Sequence, residues 1–148
     1  MLKITVALIR GGIGKPRTQP PGGAFFNLPW PPSVNHYWAR RRNGGVYLTA
    51  KARAYRVAAW AEIKRQRVPQ FGKQQVQVQL LLTPPDRRRR DIDNVRKPIY
   101  DVLEHAGVLV NDSQIVSDHA IRVEPEPPGN VRMTIRVVPG AGKRLVEV

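Results

Sequence analysis

Asp91 and Asp93 stand two residues apart at the end of a run of arginines, Arg87, Arg88, Arg89 and Arg90, and a third acid, Asp112, lies downstream beyond an apolar stretch. Acids are scarce in this chain, 11 Asp plus Glu against 25 Lys plus Arg, so two of them beside a basic run form a distinctive grouping. A hard cation such as Mg²⁺ takes oxygen ligands, keeps several waters, and is held by one or two carboxylates together with substrate phosphate oxygens. At the junction of a strand and a helix, an extended backbone would point Asp91 and Asp93 to the same side. The helix expected from Asn94 to Ala106 covers roughly 18 Å at 1.5 Å per residue, so a returning strand would carry Asp112 back towards the pair. With two ions about 3.5 to 4 Å apart, one would activate water and the other stabilise the leaving oxygen of an in-line displacement at phosphorus. Lys97, one turn beyond Asp93, would hold the scissile phosphate or the charge that grows on it.

Each acid taken singly has an ordinary structural use. Asp93 or Asn94 can cap the helix, Asp91 can pair with the arginines, and Asp112 can start a turn. The arginine run alone reads as a solvated face. The combination points elsewhere, because carboxylates among phosphate-binding side chains repel DNA unless a cation lies between them.

The 148 residues carry a formal charge of +14 and a pI near 11.2, far beyond what solubility asks for. A polyanionic partner is expected, since each phosphate neutralised releases counterions. Candidate DNA contacts are Arg87, Arg88, Arg89, Arg90, Asn35, Arg40, Arg41, Arg42 and Lys51. Tyr37 and Trp38 interleave with these basic residues in a way that suits unstacked bases, and equally suits core or interface packing. His36, His105 and His119 have no metal-ligand spacing and are read as structural. The absence of cysteine excludes disulfides, zinc ribbons and thiol nucleophiles, and suits a reducing compartment. No apolar run reaches 18 residues, so no membrane partner is expected, and Leu2 to Ile9 is too short for a secretory signal. The cytoplasm is the expected location.

The elements that would position these residues can be read from periodicity. Residues 1–24 hold a short apolar stretch, Ile4 to Ile9, and a Gly/Pro-rich segment, read as an extension or as an added edge strand. Phe25 to Trp30 reads as a strand, and Val46-Tyr47-Leu48 as a short strand turning back across Asn43-Gly44-Gly45. Thr49 reads as the N-cap of an amphipathic helix, Ala50 to Arg67, with Tyr55, Ala59 and Ile63 on its buried side. Gln75 to Thr83 alternates as a half-buried strand. Val95, Ile99, Val102, Leu103 and Ala106 form a helical stripe ending at Gly107, which puts Pro98 near the first turn. Segments 114–124 and 130–138 read as antiparallel strands joined by a turn at 125–129. The fold class expected is α+β, a mixed and mostly antiparallel sheet with two packed helices, over a domain at 25–138 and a tail at 139–148.

Several of these strings, in this order and spacing, resemble the RusA family of Holliday junction resolvases. They are Arg88-Arg89-Arg90-Asp91-Ile92-Asp93-Asn94-Val95-Arg96-Lys97-Pro98, Asn111-Asp112-Ser113-Gln114-Ile115, Leu28-Pro29-Trp30-Pro31-Pro32-Ser33-Val34-Asn35 and Tyr47-Leu48-Thr49 with Tyr55. The resemblance covers about residues 25–138. It implies a homodimeric enzyme, bacterial or phage-encoded, that resolves branched DNA, four-way junctions above all, by paired symmetric nicks in recombination and repair. It implies Mg²⁺, with Mn²⁺ as a substitute, on Asp91, Asp93 and Asp112, an essential lysine at Lys97, and a basic position at Arg90. Where the family often has two adjacent acids, this chain has Asn111 before Asp112. Homodimerisation would supply the second cut, and apolar residues of the Val102 to Val110 region are candidates for the interface. A junction-binding protein without turnover, and a less selective nuclease of flaps and branches, are the competing readings.

Overall fold

A computed structural model describes residues 22–139; the readings of Ile4 to Ile9, of the extension up to residue 21, and of the tail beyond residue 139 lie outside the described residues. Strand β1 (Gly23–Pro29) is followed by a 3₁₀ turn at Val34–His36 and by a small hairpin of β2 (Trp38–Arg40) and β3 (Val46–Leu48). Helix α1 (Ala50–Arg65), strand β4 (Val76–Thr83), helix α2 (Ile92–His105), a 3₁₀ turn at Asp112–Gln114, and strands β5 (Ile115–Arg122) and β6 (Asn130–Val137) complete the order.

The main sheet runs β1-β6-β4-β5, with β1 and β4 both antiparallel to β6 and β5 parallel to β4. This is the expected α+β class. One expectation is corrected: segments 114–124 and 130–138 do not pair with each other, because β4 lies between them. β4 is the most continuously apolar strand, and a central place lets Val76, Val78, Leu80 and Leu82 be covered by both neighbours and by the helices. The loop between β5 and β6 crosses the end of β4 instead of forming a hairpin. Gly129 makes that crossing possible at φ 81°, since a Cβ there would lie 2.9 Å from Pro85 Cδ and from Pro85 N.

One face of the sheet carries Ala24, Phe26, Leu28, Val78, Leu80, Val131, Met133 and Ile135 against Tyr55, Ala59 and Ile63 of α1 and Val95, Ile99, Val102 and Leu103 of α2. The opposite face, with Gln77, Gln79, Thr134 and Arg136, is more polar. Thr49 caps α1 by accepting from Ala52 N, as its type predicts. α1 is less cleanly amphipathic than expected. It packs inward through Ala52, Tyr55, Ala59 and Ile63 and leaves Val57 70% exposed and Trp60 45% exposed.

α2 begins at Ile92, ahead of the point the stripe suggested, so Pro98 sits inside the helix and not in its first turn. Its ring removes the N–H that would meet the Asn94 carbonyl. The helix ends as read, at Gly107 with φ 76°, where Val108 N donates to Leu103 O at 2.9 Å. The Val102 to Val110 stretch is largely core: Val102, Leu103, Ala106, Val108 and Leu109 are buried, and Val110 is exposed. Packing under the sheet consumes the apolar surface that an interface there would need.

Candidate active site

The early start of α2 changes how its acids are presented. Asp91 is the N-cap residue, with extended φ −83° and ψ 136° and no side-chain capping bond, whereas Asp93 already belongs to the first helical turn. The two do not share one extended segment, so an extended backbone is not what places them. Helical spacing groups a different set. Asp93, Arg96, Lys97 and Tyr100 lie three and four residues apart along one face of α2.

β5 completes this face. The register pairs Val78 with Asp118, Leu80 with Ala120 and Leu82 with Arg122, so these β5 residues point to the helix-covered side. His119, paired with Gln79, points the other way. Tyr100 OH donates to Asp118 Oδ2 at 2.7 Å. Arg96 spans two acids, with Nη1 3.2 Å from Asp93 Oδ1 and Nε 3.4 Å from Asp118 Oδ2. An open cleft of about 370 Å³ is bordered by Tyr100, Asp112, Ile115, Val116, Ser117 and Asp118. Burial first, and then the Asp118 hydrogen bond, push the Tyr100 hydroxyl well above its ordinary range, so it stays a donor.

Asp112 is held at the cleft by its backbone. Its N–H donates to Glu104 Oε1 at 2.6 Å. Asn111 Oδ1 accepts from Ser113 N at 2.8 Å, which is the use this chain makes of an amide before Asp112. The buried Gln114 side chain accepts from Val110 N at 2.8 Å and Asn111 N at 3.1 Å, and donates to Gly72 O at 2.8 Å and Gln74 O at 2.6 Å. The Asn-Asp-Ser-Gln string is thus a clamp around one presented carboxylate.

Among the described residues, no three acidic or imidazole side chains close on one point as a preformed cage would. The structure brings Asp112 and Asp118 to one cleft and ties Asp93 to Asp118 through Arg96; it does not gather Asp91, Asp93 and Asp112 into a closed triad. With Asp118 engaged by Arg96 and Tyr100, the carboxylates left for a hydrated divalent ion are those of Asp91, Asp93 and Asp112, and such an ion leaves its remaining positions to solvent and phosphate. The exposed Lys97 has no ion-pair partner among the described residues.

The basic candidates divide. Arg90 folds back, its Nη1 2.7 Å from Asp86 Oδ1 and its guanidinium 5.8 Å from the Trp30 ring centre, while its carbonyl accepts from Arg122 Nη1 at 2.8 Å. Arg90 thereby shapes the turn before α2. Its hydrogen bond, with one from Arg88 N, holds the Asp86 carboxyl down at about 2. Arg87 and Arg88 make only exposed ion pairs, with Glu124 at 3.4 Å and Asp86 at 3.8 Å, which exchange readily for phosphate. Arg89 is exposed and lines the same groove. Arg40, Arg41 and Arg42 are exposed at the tip of the β2/β3 hairpin, Arg41 lying 5.5 Å from the Tyr47 ring centre. Asn35 and Lys51 are exposed nearby in the chain. Tyr37 is core and Trp38 is 43% exposed, which settles the two aromatics differently. His36, His105 and His119 are exposed.

Sequence reading missed Arg96, Tyr100 and Asp118. Arg96 and Tyr100 were detectable as members of the Asp93 helical face. Asp118 had no such signal, because Ala120 and Ile121 make the alternation of its strand ambiguous.

Comparison with known proteins adds an independent line. A family model described as Endodeoxyribonuclease RusA matches residues 29–138. The chain is 36% identical over 110 residues to a crossover junction endodeoxyribonuclease of Enterobacteria phage HK97, covering 74% of this chain and 91% of that protein. It is 34% identical over 110 residues, with the same coverage of 74% and 91%, to the crossover junction endodeoxyribonuclease of Escherichia coli strain K12. A similar relative, 34% identical over 110 residues, comes from Enterobacteria phage 82.

Proposed function

The chain belongs to the RusA endodeoxyribonuclease family, and from that premise we propose that it is an endonuclease that resolves four-way DNA junctions by paired symmetric nicks in recombination and repair. The observation that carries this reading is the family match itself, whose range of 29–138 includes Asp91, Asp93, Lys97 and Asp112. The acidic face of α2 and β5, set in a chain of charge +14, supports it.

In this proposal Asp91, Asp93 and Asp112 hold Mg²⁺, or Mn²⁺ in its place. Such an ion supplies Lewis acidity towards a phosphate oxygen and lowers the pKa of a bound water. Lys97 holds the phosphate and offsets the charge that accumulates there during displacement. Arg87, Arg88, Arg89, Arg40, Arg41, Arg42, Lys51 and Asn35 hold the flanking backbone, a contribution independent of sequence and weakened by salt. Arg90 contributes through the turn it braces.

Two cuts related by a two-fold axis require two such faces, and the described residues carry one. A symmetric homodimer supplies the second. Among the described residues no helix is long and apolar enough to cross a membrane. The proposed site of action is the cytoplasm, where bacterial and phage DNA recombine.

The test compares a synthetic four-way junction, a flap and a linear duplex at one salt concentration, with Mg²⁺ and then Mn²⁺. Selective, symmetric nicking of the junction is the expected result. Equal cutting of flap and junction would replace the reading with a general branch nuclease. Binding without cutting in either metal would replace it with a junction-binding protein.

A further inference from the structure

One guanidinium stands between two carboxylates on the candidate face, and its two contacts are held with unequal firmness. Asp93, 3.2 Å from Arg96 Nη1, has a side chain 88% exposed to water. Asp118, 3.4 Å from Arg96 Nε, is 31% exposed, and its same oxygen accepts from Tyr100 OH at 2.7 Å. The Arg96 side chain itself is largely covered, at 26% exposure. An exposed ion pair three residues apart on a helix contributes little, so the Asp93 contact is the one that can be exchanged. The Asp118 contact is an ion pair in which Nε makes no hydrogen bond, yet it is the better shielded from water and its carboxylate is fixed by Tyr100, so it is the contact that persists.

We propose that Arg96 is the resident counter-ion of the acidic face, neutralising Asp93 until a divalent ion displaces it and remaining with Asp118 once that ion has bound. The proposal rests on the divalent-ion reading above and assigns roles to Arg96 and Asp118. Its physical basis is competition. A guanidinium and a hydrated dication seek the same carboxylate oxygens, and a unit positive charge a few ångströms from the ion opposes its binding at any effective dielectric. The arrangement also serves a basic protein that must approach DNA, because Asp93, Asp112 and Asp118 left uncompensated would repel the phosphates that the arginines attract. Arg96 offsets one of these three charges during approach. The cost is a weaker hold on the ion, which makes occupancy dependent on ion concentration.

Mn²⁺ binding to the full-length free protein, followed by electron paramagnetic resonance, tests this without reference to cleavage. Arg96→Gln is expected to lower the Mn²⁺ Kd about fivefold to tenfold, and the gain is expected to shrink to about twofold in an Asp93→Asn background, where only the through-space repulsion is left. Unchanged or weaker Mn²⁺ binding by a folded Arg96→Gln protein would overturn the proposal, as would a gain of undiminished size in Asp93→Asn. The wild type offers a second measurement that needs no variant to fold. On titration with Mg²⁺ the Arg96 Nε–Hε resonance is expected to shift and saturate with the Mn²⁺-competable site, and an unmoved resonance at saturation overturns the proposal. If the wild type shows no saturable Mn²⁺ binding at all, the divalent-ion reading fails first and this inference falls with it.

Discussion

Arg56 and Asp101 face each other in a two-point contact, Nε to Oδ2 at 2.9 Å and Nη2 to Oδ1 at 2.9 Å, that joins α1 to α2. Tyr37 OH donates to the same carboxylate from the turn before the hairpin. Three separate parts of the chain therefore meet on one acid two turns along α2 from Asp93. The clamp orients the helix face that carries Asp93, Arg96 and Lys97, although it touches none of them.

Asp101→Ala strands a guanidinium and a phenol that were paired in a half-buried setting. The expected loss is about 2 to 3 kcal/mol of unfolding free energy, below the range for breaking a fully buried ion pair because Arg56 keeps partial access to water. Urea denaturation at neutral pH measures it. A loss under about 0.5 kcal/mol would show that the contact is not a structural clamp.

Alkaline pH probes the same cluster. Burial, and then the Asp101 hydrogen bond, push the Tyr37 hydroxyl up to about 12 from an ordinary 10.0. A raised folded-state value means that the contribution to stability is complete below the unfolded value and is lost as pH climbs through the folded one. Stability should fall between about pH 10 and 12, a fall that Tyr37→Phe reduces. Phenolate absorbance during titration, compared with that of Tyr37→Phe, should show the variant missing a component that ionises near 12; a missing component at the ordinary 10.0 would contradict the assignment.

Gln114 has all its strong hydrogen-bonding groups engaged with backbone, two acceptor contacts and two donor contacts. Gln114→Glu keeps the shape but cannot donate, and it sets a carboxylate against the Gly72 and Gln74 carbonyls. It is expected to cost about 2 to 4 kcal/mol, and Gln114→Met, which keeps the packing but strands the Val110 and Asn111 N–H groups as well as the two carbonyls, is expected to cost at least as much. Both variants should also lose cleavage at full folding, through a loosened Asp112. Thermal melts paired with cleavage rates at saturating junction separate the two effects.

What was legible in the sequence was local. The Thr49 cap, the Gly107 stop, the alternation of 76–83 and the Asn-Gly-Gly hairpin each depend on neighbours within a few residues, and each stands where it was read. What was not legible depends on distant partners. No local pattern says that β4 separates β5 from β6, since that order follows from which strand can be buried on both sides. The arginine run looks uniform in sequence, yet Arg90 alone turns back onto Trp30, held there by the Asp86 carboxylate four residues before it. Arg96 was visible on the Asp93 helical face, and its place beside Asp118 was not, because a helix beginning at Ile92 and an edge strand had first to meet.

Salt dependence separates the arginines that hold DNA from the one that holds the turn. Replacing Arg40, Arg41 and Arg42 with Gln is expected to flatten the slope of log K against log salt for junction binding by roughly 2 to 3 units, about 0.9 for each phosphate that is no longer neutralised. Arg89→Gln should remove about one such unit. Arg90→Gln should leave the slope nearly unchanged and lower the melting temperature, with the Asp86 carboxyl rising from about 2 towards its ordinary 3.8. Fluorescence anisotropy across a salt series gives the slopes. An Arg90 slope change as large as that of Arg89 would move Arg90 from the turn to the DNA.

The last prediction concerns Asp93 and Lys97, which share a helix face but are expected to fail differently. Asp93→Asn keeps the side chain's size and removes an ion ligand, so cleavage in Mg²⁺ should fall by about two to three orders of magnitude with the fold intact. Junction binding should hold or tighten, because a negative charge facing phosphate has gone. Lys97→Ala removes a cation, so cleavage should fall by a similar factor while junction binding weakens, with about one unit less salt slope. Mn²⁺ affinity then discriminates: it should drop in Asp93→Asn and rise slightly in Lys97→Ala, where a nearby positive charge no longer opposes the ion. Single-turnover cleavage together with Mn²⁺ titration of both variants decides the matter. Full cleavage by Asp93→Asn would remove that residue from the site, and an unaltered rate in Lys97→Ala would leave the transition-state charge to be met by the arginines alone.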